Sequence, residues 1–158
     1  MSLATAFPFF SAGLFGPSVQ VTPLENFVFD ATLVGLPGLD GPTGSHAWTA
    51  VARVGPRLRA RLGAGLEWVA PSLGAGAAAW VAPVGGVRYL QGSFAHGYEA
   101  GTGLNLAVLL GLQWWLSPSI GITATGSAGW THWVTRGVYT PVLSLDVGGG
   151  LGIVVGGR

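Results

Sequence analysis

The stretch Leu104-Asn105-Leu106-Ala107-Val108-Leu109-Leu110-Gly111-Leu112-Gln113-Trp114 decides the fold. Taken in steps of two, it gives Leu104, Leu106, Val108, Leu110, Leu112 and Trp114 on one face. The other face carries Asn105, Ala107, Leu109, Gly111 and Gln113. A period of two is that of a β-strand, whose successive side chains point to opposite sides. A membrane-spanning helix would need about 20 mostly apolar residues, and Ser117-Pro118-Ser119 ends this run too early.

The same zigzag recurs outward from this segment. Between Ile120 and Trp130 one face is Ile120, Ile122, Ala124, Gly126, Ala128 and Trp130, backed by glycine, serine and threonine. From Leu143 to Val155 the apolar set is Leu143, Leu145, Val147, Gly149, Leu151, Ile153 and Val155, backed by Ser144, Asp146 and three glycines. Leu58 to Trp68 sets Leu58, Leu62, Leu66 and Trp68 against Arg59, Arg61 and Glu67. Shorter segments complete the set: Phe27–Leu33, Trp48–Val54, Ala77–Ala82 and Val87–Ala95. The sequence therefore predicts eight strands, an even number that closes an antiparallel up-and-down barrel without exposed edges. The competing class is a helical inner-membrane protein with two or three glycine-rich spans.

Composition tells which face is wet. The chain is 49% hydrophobic and 8% charged, with 28 glycines and no lysine, whereas a soluble domain carries roughly 25% charged residues. In a soluble barrel the large apolar side chains point inward and a charged face meets water. Here the polar faces are glycine, small hydroxyls and a few arginines, which suit a cramped lumen, while the apolar faces suit lipid. A net charge of +1 gives no footprint for nucleic acid. The absence of cysteine excludes disulfide frameworks and thiolate chemistry.

Gly55-Pro56-Arg57, Pro83-Val84-Gly85-Gly86 and Ser117-Pro118-Ser119 read as tight turns. Longer links at Leu36–Ser45, Pro71–Gly76, His96–Gly101 and Thr131–Pro141 alternate with them. Short turns then lie at one end of the barrel, with both chain ends, and long loops at the other. Trp48, Trp68, Trp130 and Trp133 fall at the loop ends of strands and Trp114 at a turn end, as aromatic girdles at the two lipid–water boundaries require. Trp80 lies mid-strand and fits neither girdle.

On this architecture the chain resembles the small eight-stranded outer-membrane barrels of the OmpA-transmembrane-domain and OmpX type, over Phe27 to Val155. The resemblance implies an integral protein of the outer membrane of a diderm bacterium, with the lipid bilayer as its first partner and no cofactor. The barrel is expected over residues 27–156. Such proteins usually end on an aromatic residue, whereas this chain ends Ile153-Val154-Val155-Gly156-Gly157-Arg158. Residues 1–6 lack the charged and apolar regions of a signal peptide, so the numbering is expected to start near a mature start. Residues 1–26 are apolar but broken by Pro8, Pro17 and Pro23. They are expected to lie outside the barrel on the periplasmic side, where Phe7, Phe9, Phe10 and Phe15 would dock another envelope protein or an identical subunit.

Candidate chemistry is sparse. Asp30, Arg53, Arg59, Arg61, Glu67 and Asp146 are expected to form a charge network in the lumen. A turn centred on Pro56 would set Arg53 opposite Arg59, a repulsive pair that calls for a carboxylate from Asp30 or Asp146. His46, His96 and His132, with Glu99, are the residues that a loop-borne metal would use, although their spacing matches no metal motif. Ser45-His46 and Ser93 with His96 supply the residue types of a lipid hydrolase without a nucleophile elbow. The expected function is thus a structural or interaction barrel without catalysis. A narrow pore or small-ligand barrel is the alternative, and a lipid-modifying enzyme stands behind it.

Overall fold

The computed structural model describes residues 2–11, 14–22, 26–35, 46–60, 77–94, 97–138 and 142–156. Nine strands follow in order: β1 Ser2–Ser11, β2 Leu14–Thr22, β3 Phe27–Gly35, β4 His46–Pro56, β5 Leu58–Ala60, β6 Ala77–Phe94, β7 Gly97–Trp115, β8 Ile120–Thr135 and β9 Leu143–Gly156. Every pairing is antiparallel. The chain of neighbours runs β4-β3-β2-β1-β9-β8-β7-β6, and β6 pairs back onto β4. That last pairing closes a ring of eight strands, with β5 prolonging β4 along β6. The ring has no free edge, so ladder groups along every strand have a neighbour to pair with. No helix occurs among the described residues.

Eight strands are present, but they are not the eight expected. Residues 1–26 do not stand apart: β1 and β2 pair with each other, and β1 also pairs with β9. Pro8 and Pro17 sit in the strands, and the β1 ladder slips at a bulge between Ala6 and Phe9, which breaks the period of two. Phe7, Phe9 and Phe10 lie in β1 and Phe15 in β2, so their backbone belongs to the barrel wall rather than to a free docking arm. The expected boundary at residue 27 therefore moves to Ser2.

Two expected turns are strand interior. Val54 pairs with Gly85 and Leu58 with Val81, one unbroken register that carries β4 straight into β5. In that register Pro56 falls beside Pro83. Neither proline has an N–H to give, so the ladder lapses there without the chain turning. Gly55 lets the two backbones close up, since a Cβ there would run into the Pro83 carbonyl oxygen. On the other side the Arg57 N–H donates to the Asn26 carbonyl at 2.8 Å, holding the strand to its neighbour.

The segregation of short and long connections changes accordingly. Ser2 pairs with Gly156, and residues 116–119 turn beside them, with the Gly156 N–H donating to the Ser119 carbonyl. We call this the turn end. β5 ends and β6 begins at this same end, so it does not hold short turns alone. Residues 36–45, 95–96 and 136–142 connect strands at the opposite, loop end.

The faces are as the zigzags indicate. Along β7, Leu104, Leu106, Val108, Leu110 and Leu112 are exposed, whereas Asn105, Ala107, Leu109, Gly111 and Gln113 are buried. The interior holds a packed core among the described residues. Val28, Trp80, Ala82, Val84, Ala107 and Leu109 form an apolar cluster inside the ring.

Candidate functional site in the lumen

β4 and the residue that follows it direct Thr49, Arg53 and Arg57 toward the interior at four-residue intervals, which keeps all three on one face. Each organises a different cluster. Asp30 lies directly across from Arg53 in the β3–β4 register. The guanidinium donates to Asp30 Oδ2 from Nε at 3.0 Å and from Nη2 at 2.7 Å. Gln20 Nε2 donates to Asp30 Oδ1 at 3.2 Å, and Thr32 Oγ1 to Oδ2 at 3.4 Å. The pair is thereby neutralised and hydrogen-bonded, as buried charges need to be.

The second cluster is larger. Arg88 Nη1 is ion-paired with Asp146 Oδ1, and its Nε donates to Thr49 Oγ1 at 2.9 Å. Asp146 Oδ2 accepts from Thr131 Oγ1 at 2.6 Å and from Asn105 Nδ2 at 3.0 Å. Thr49 in turn donates its hydroxyl proton to the Tyr89 carbonyl at 2.8 Å. The Arg88 guanidinium also lies 5.9 Å from the centroid of the Trp133 ring. One ion pair thus ties β4, β6, β7, β8 and β9 together across the lumen.

The third cluster surrounds Trp80. Arg57 stacks on its ring at 5.0 Å and donates from Nη2 to Gln113 Oε1 at 3.0 Å. Gly111, the register partner of Trp80, leaves the space that the indole fills.

The structure places the sequence candidates as follows. Asp30, Arg53 and Asp146 are buried in the lumen. Arg53 and Arg59 do not face one another: they lie in the consecutive β4 and β5, and Arg59 is in register with Trp80. Arg61, Glu67 and Trp68 fall outside the described residues. Sequence reasoning misses two lumen residues: Arg57, which it places in a turn, and Arg88. Its strand starts with alanines and carries Pro83, Gly85 and Gly86, which blur the zigzag, yet an arginine next to a tyrosine of opposite facing would have marked the inner face.

Among the girdle tryptophans, Trp48 and Trp130 are exposed on the outer face and Trp114 is half-buried. Trp133 is a correction. It is three residues from Trp130, and an odd separation puts two side chains on opposite faces of a strand. It is buried inside, donating Nε1 to Ser144 Oγ at 3.0 Å. Glu99 points inward and is buried, while His132 is exposed on the outer face; these two cannot share a ligand. Nothing is described of the His46 side chain, and His96 and Ser45 lie outside the described residues. No group of three metal-ligating side chains occurs among the described residues.

No protein-family model matches the sequence, and no curated protein does. Among solved structures, Neisserial surface protein A is similar over 98% of this chain and 92% of its own, with a TM-score of 0.57 and 12% identity. That protein is an eight-stranded outer-membrane β-barrel. At this identity the likeness shows the fold alone: the chain has the antiparallel eight-stranded architecture of an outer-membrane barrel.

Proposed function

We propose that the protein is an integral outer-membrane barrel with a closed lumen, acting as a structural or interaction component of the envelope and not as a catalyst. One observation carries the reading. Along the described strands, Asp30, Arg53, Arg88, Glu99 and Asp146 are all buried inside, and no outward position holds an Asp, Glu, Lys or Arg. Water would not select such a surface, but hydrocarbon would. At about 3.3 Å per residue and a tilt of about 40°, Leu104 to Trp114 spans about 25 Å, the height of an outer-membrane apolar band.

The lumen supports a closed barrel over a pore. Trp80 and Leu109 fill the centre, the Arg88–Asp146 pair stretches across it, and the Arg53–Asp30 pair lies along its wall. The test is twofold. A photoreactive probe dissolved in the bilayer should label Leu106, Leu110 and Ile122 and spare Asn105 and Thr123. In planar bilayers the reconstituted protein should pass no current. Labelling of Asn105 over Leu106 would turn the barrel inside out, and steady wild-type conductance would replace a closed barrel with a pore.

A further inference from the structure

The outer wall is not uniform. Across β2, β3, β4 and β6 it holds a groove of about 500 Å³, lined on its outward side by Val19, Ala31, Leu33, Ala50, Ala52 and Val87, with Tyr89 and Thr102 at one end. The registers show how it arises. Val19, Ala31, Ala52, Val87 and Leu104 follow one another around the wall, and Leu33, Ala50, Tyr89 and Thr102 form the next row. Three alanines on two neighbouring strands make the floor, and larger side chains stand around them. Toward the turn end the floor is bounded by Phe29 and Val54, which pair directly.

The two ends of the groove differ in chemistry. Its loop end is capped by Trp48 and Tyr89, whose ring centroids are 5.2 Å apart. There the Tyr89 hydroxyl donates to Gln91 Oε1 at 3.2 Å, and the Thr102 side chain is exposed beside it. Aromatic residues with a polar tip mark the boundary between hydrocarbon and headgroups. Below them the lining is alanine, valine and leucine. The groove is thus hydrocarbon along nearly its whole length, with the hydroxyl-bearing Tyr89 and Thr102 at its loop end and Gln91 just beyond, which suits an amphiphile lying parallel to the strands.

We propose that this groove seats one acyl chain of a membrane lipid from the loop-end leaflet, with the ester or sugar region of that lipid beside Tyr89, Gln91 and Thr102. The proposal rests on the integral-membrane reading above. Its volume lies in the range of small-molecule sites, roughly 300–1,000 Å³. The groove is continuous with the lipid-facing wall, so the occupant arrives from the bilayer itself. No charged side chain lines it on the outer face: Arg88 borders the groove through its strand but turns its guanidinium inward to Asp146. Selection thus falls on the chain and its neutral linkage rather than on a phosphate. A second copy of the barrel would need a ridge of matching shape, and the polar end would be left against its hydrocarbon-facing wall.

The experiment is native mass spectrometry of the full chain released from nanodiscs of dioleoyl phosphatidylcholine. Wild type should keep one lipid at a collision energy that strips the remainder. Ala52→Leu, which fills the floor from the lipid side, should lose it, and Ala128→Leu on the opposite wall should not. Ala50→Val is a smaller filler should Ala52→Leu fail to fold, and it should weaken retention in the same direction. Equal retention in wild type and both fillers overturns the groove. A dimer in wild type that Ala52→Leu abolishes assigns the groove to a second copy and also overturns it. Failure of the wild type to enter nanodiscs at all removes the integral reading instead, so the two failures are told apart.

Discussion

The indole of Trp80 occupies the place that a side chain at position 111 would take: a Cβ on Gly111 would overlap the six-membered ring of its register partner. Gly101 makes a milder allowance for Trp133: a Cβ would stand 3.1 Å from Cε3 and 3.0 Å from the Thr135 carbonyl oxygen. These glycines of the inner face are therefore one half of a packing pair whose other half is a tryptophan.

Gly111→Ala should accordingly destabilise the barrel by about 1–3 kcal/mol, the cost of overpacking a filled interior. Urea unfolding in micelles, followed by tryptophan fluorescence, measures it. Trp80→Leu combined with Gly111→Ala should recover part of the loss, because the smaller side chain vacates the contested space. Additive losses in the double variant would mean that the two residues do not share it.

Removing one partner of the cross-lumen pair strands the other. Asp146→Leu leaves the Arg88 guanidinium buried without its carboxylate and should cost about 3–5 kcal/mol. The double variant Asp146→Leu/Arg88→Met removes both charges and should cost much less. A double-mutant cycle on urea midpoints reads the coupling. A coupling near zero would show that the pair does not form in the folded barrel.

The unbroken course of β4 into β5 can be tested by cross-linking. Leu58 and Val81 are register partners, and facing residues of antiparallel strands have Cα atoms about 4.5–5.5 Å apart. That spacing lies within disulfide range. Leu58→Cys/Val81→Cys should oxidise to an intramolecular bridge. Val54→Cys/Leu58→Cys, the pair that a turn at Pro56 would bring together, should stay reduced. The reverse pattern would restore the turn.

Charge placed on the outer wall should be punished by depth. Val108 stands in the middle of the exposed apolar row of β7, between Leu106 and Leu110. Val108→Arg should cost about 2–4 kcal/mol in a bilayer, whereas Thr102→Arg near the loop end should cost about 0–1 kcal/mol. Equal penalties, measured by unfolding from vesicles, would place both residues at the same depth.

How far the sequence can be read depends on how regular each strand is. β7, β9 and β8 as far as Trp133 keep a period of two, and their faces follow directly from it; the ladder slips only at Val134. β1 and β2 escape because Pro8 and Pro17, with the bulge after Ala6, disturb that period; tertiary pairing with β9 supplies what local pattern lacks. Pro56 and Pro83 mislead in the opposite direction. A proline normally interrupts a central strand, but two prolines side by side on adjacent strands confine the gap in the ladder to one facing pair, and the register runs on past it. In the lumen, Asp30 and Arg53 are legible because both stand on clean inner faces, and Asp146 for the same reason. Their pairing is legible only as a choice, Asp30 or Asp146 beside Arg53, because register decides between them and a turn at Pro56 adds Arg59 as a wrong neighbour.

The seam between β1 and β9 joins two strands that lie far apart along the sequence. Until β9 is available, β1 has one unsatisfied flank, and β8 is left with the other. Without β9 the ring of β1 to β8 stays open, so closure of the barrel waits on that one strand. Loss of β9 would expose two sticky borders at once, making truncation a route to aggregation and not to a milder phenotype.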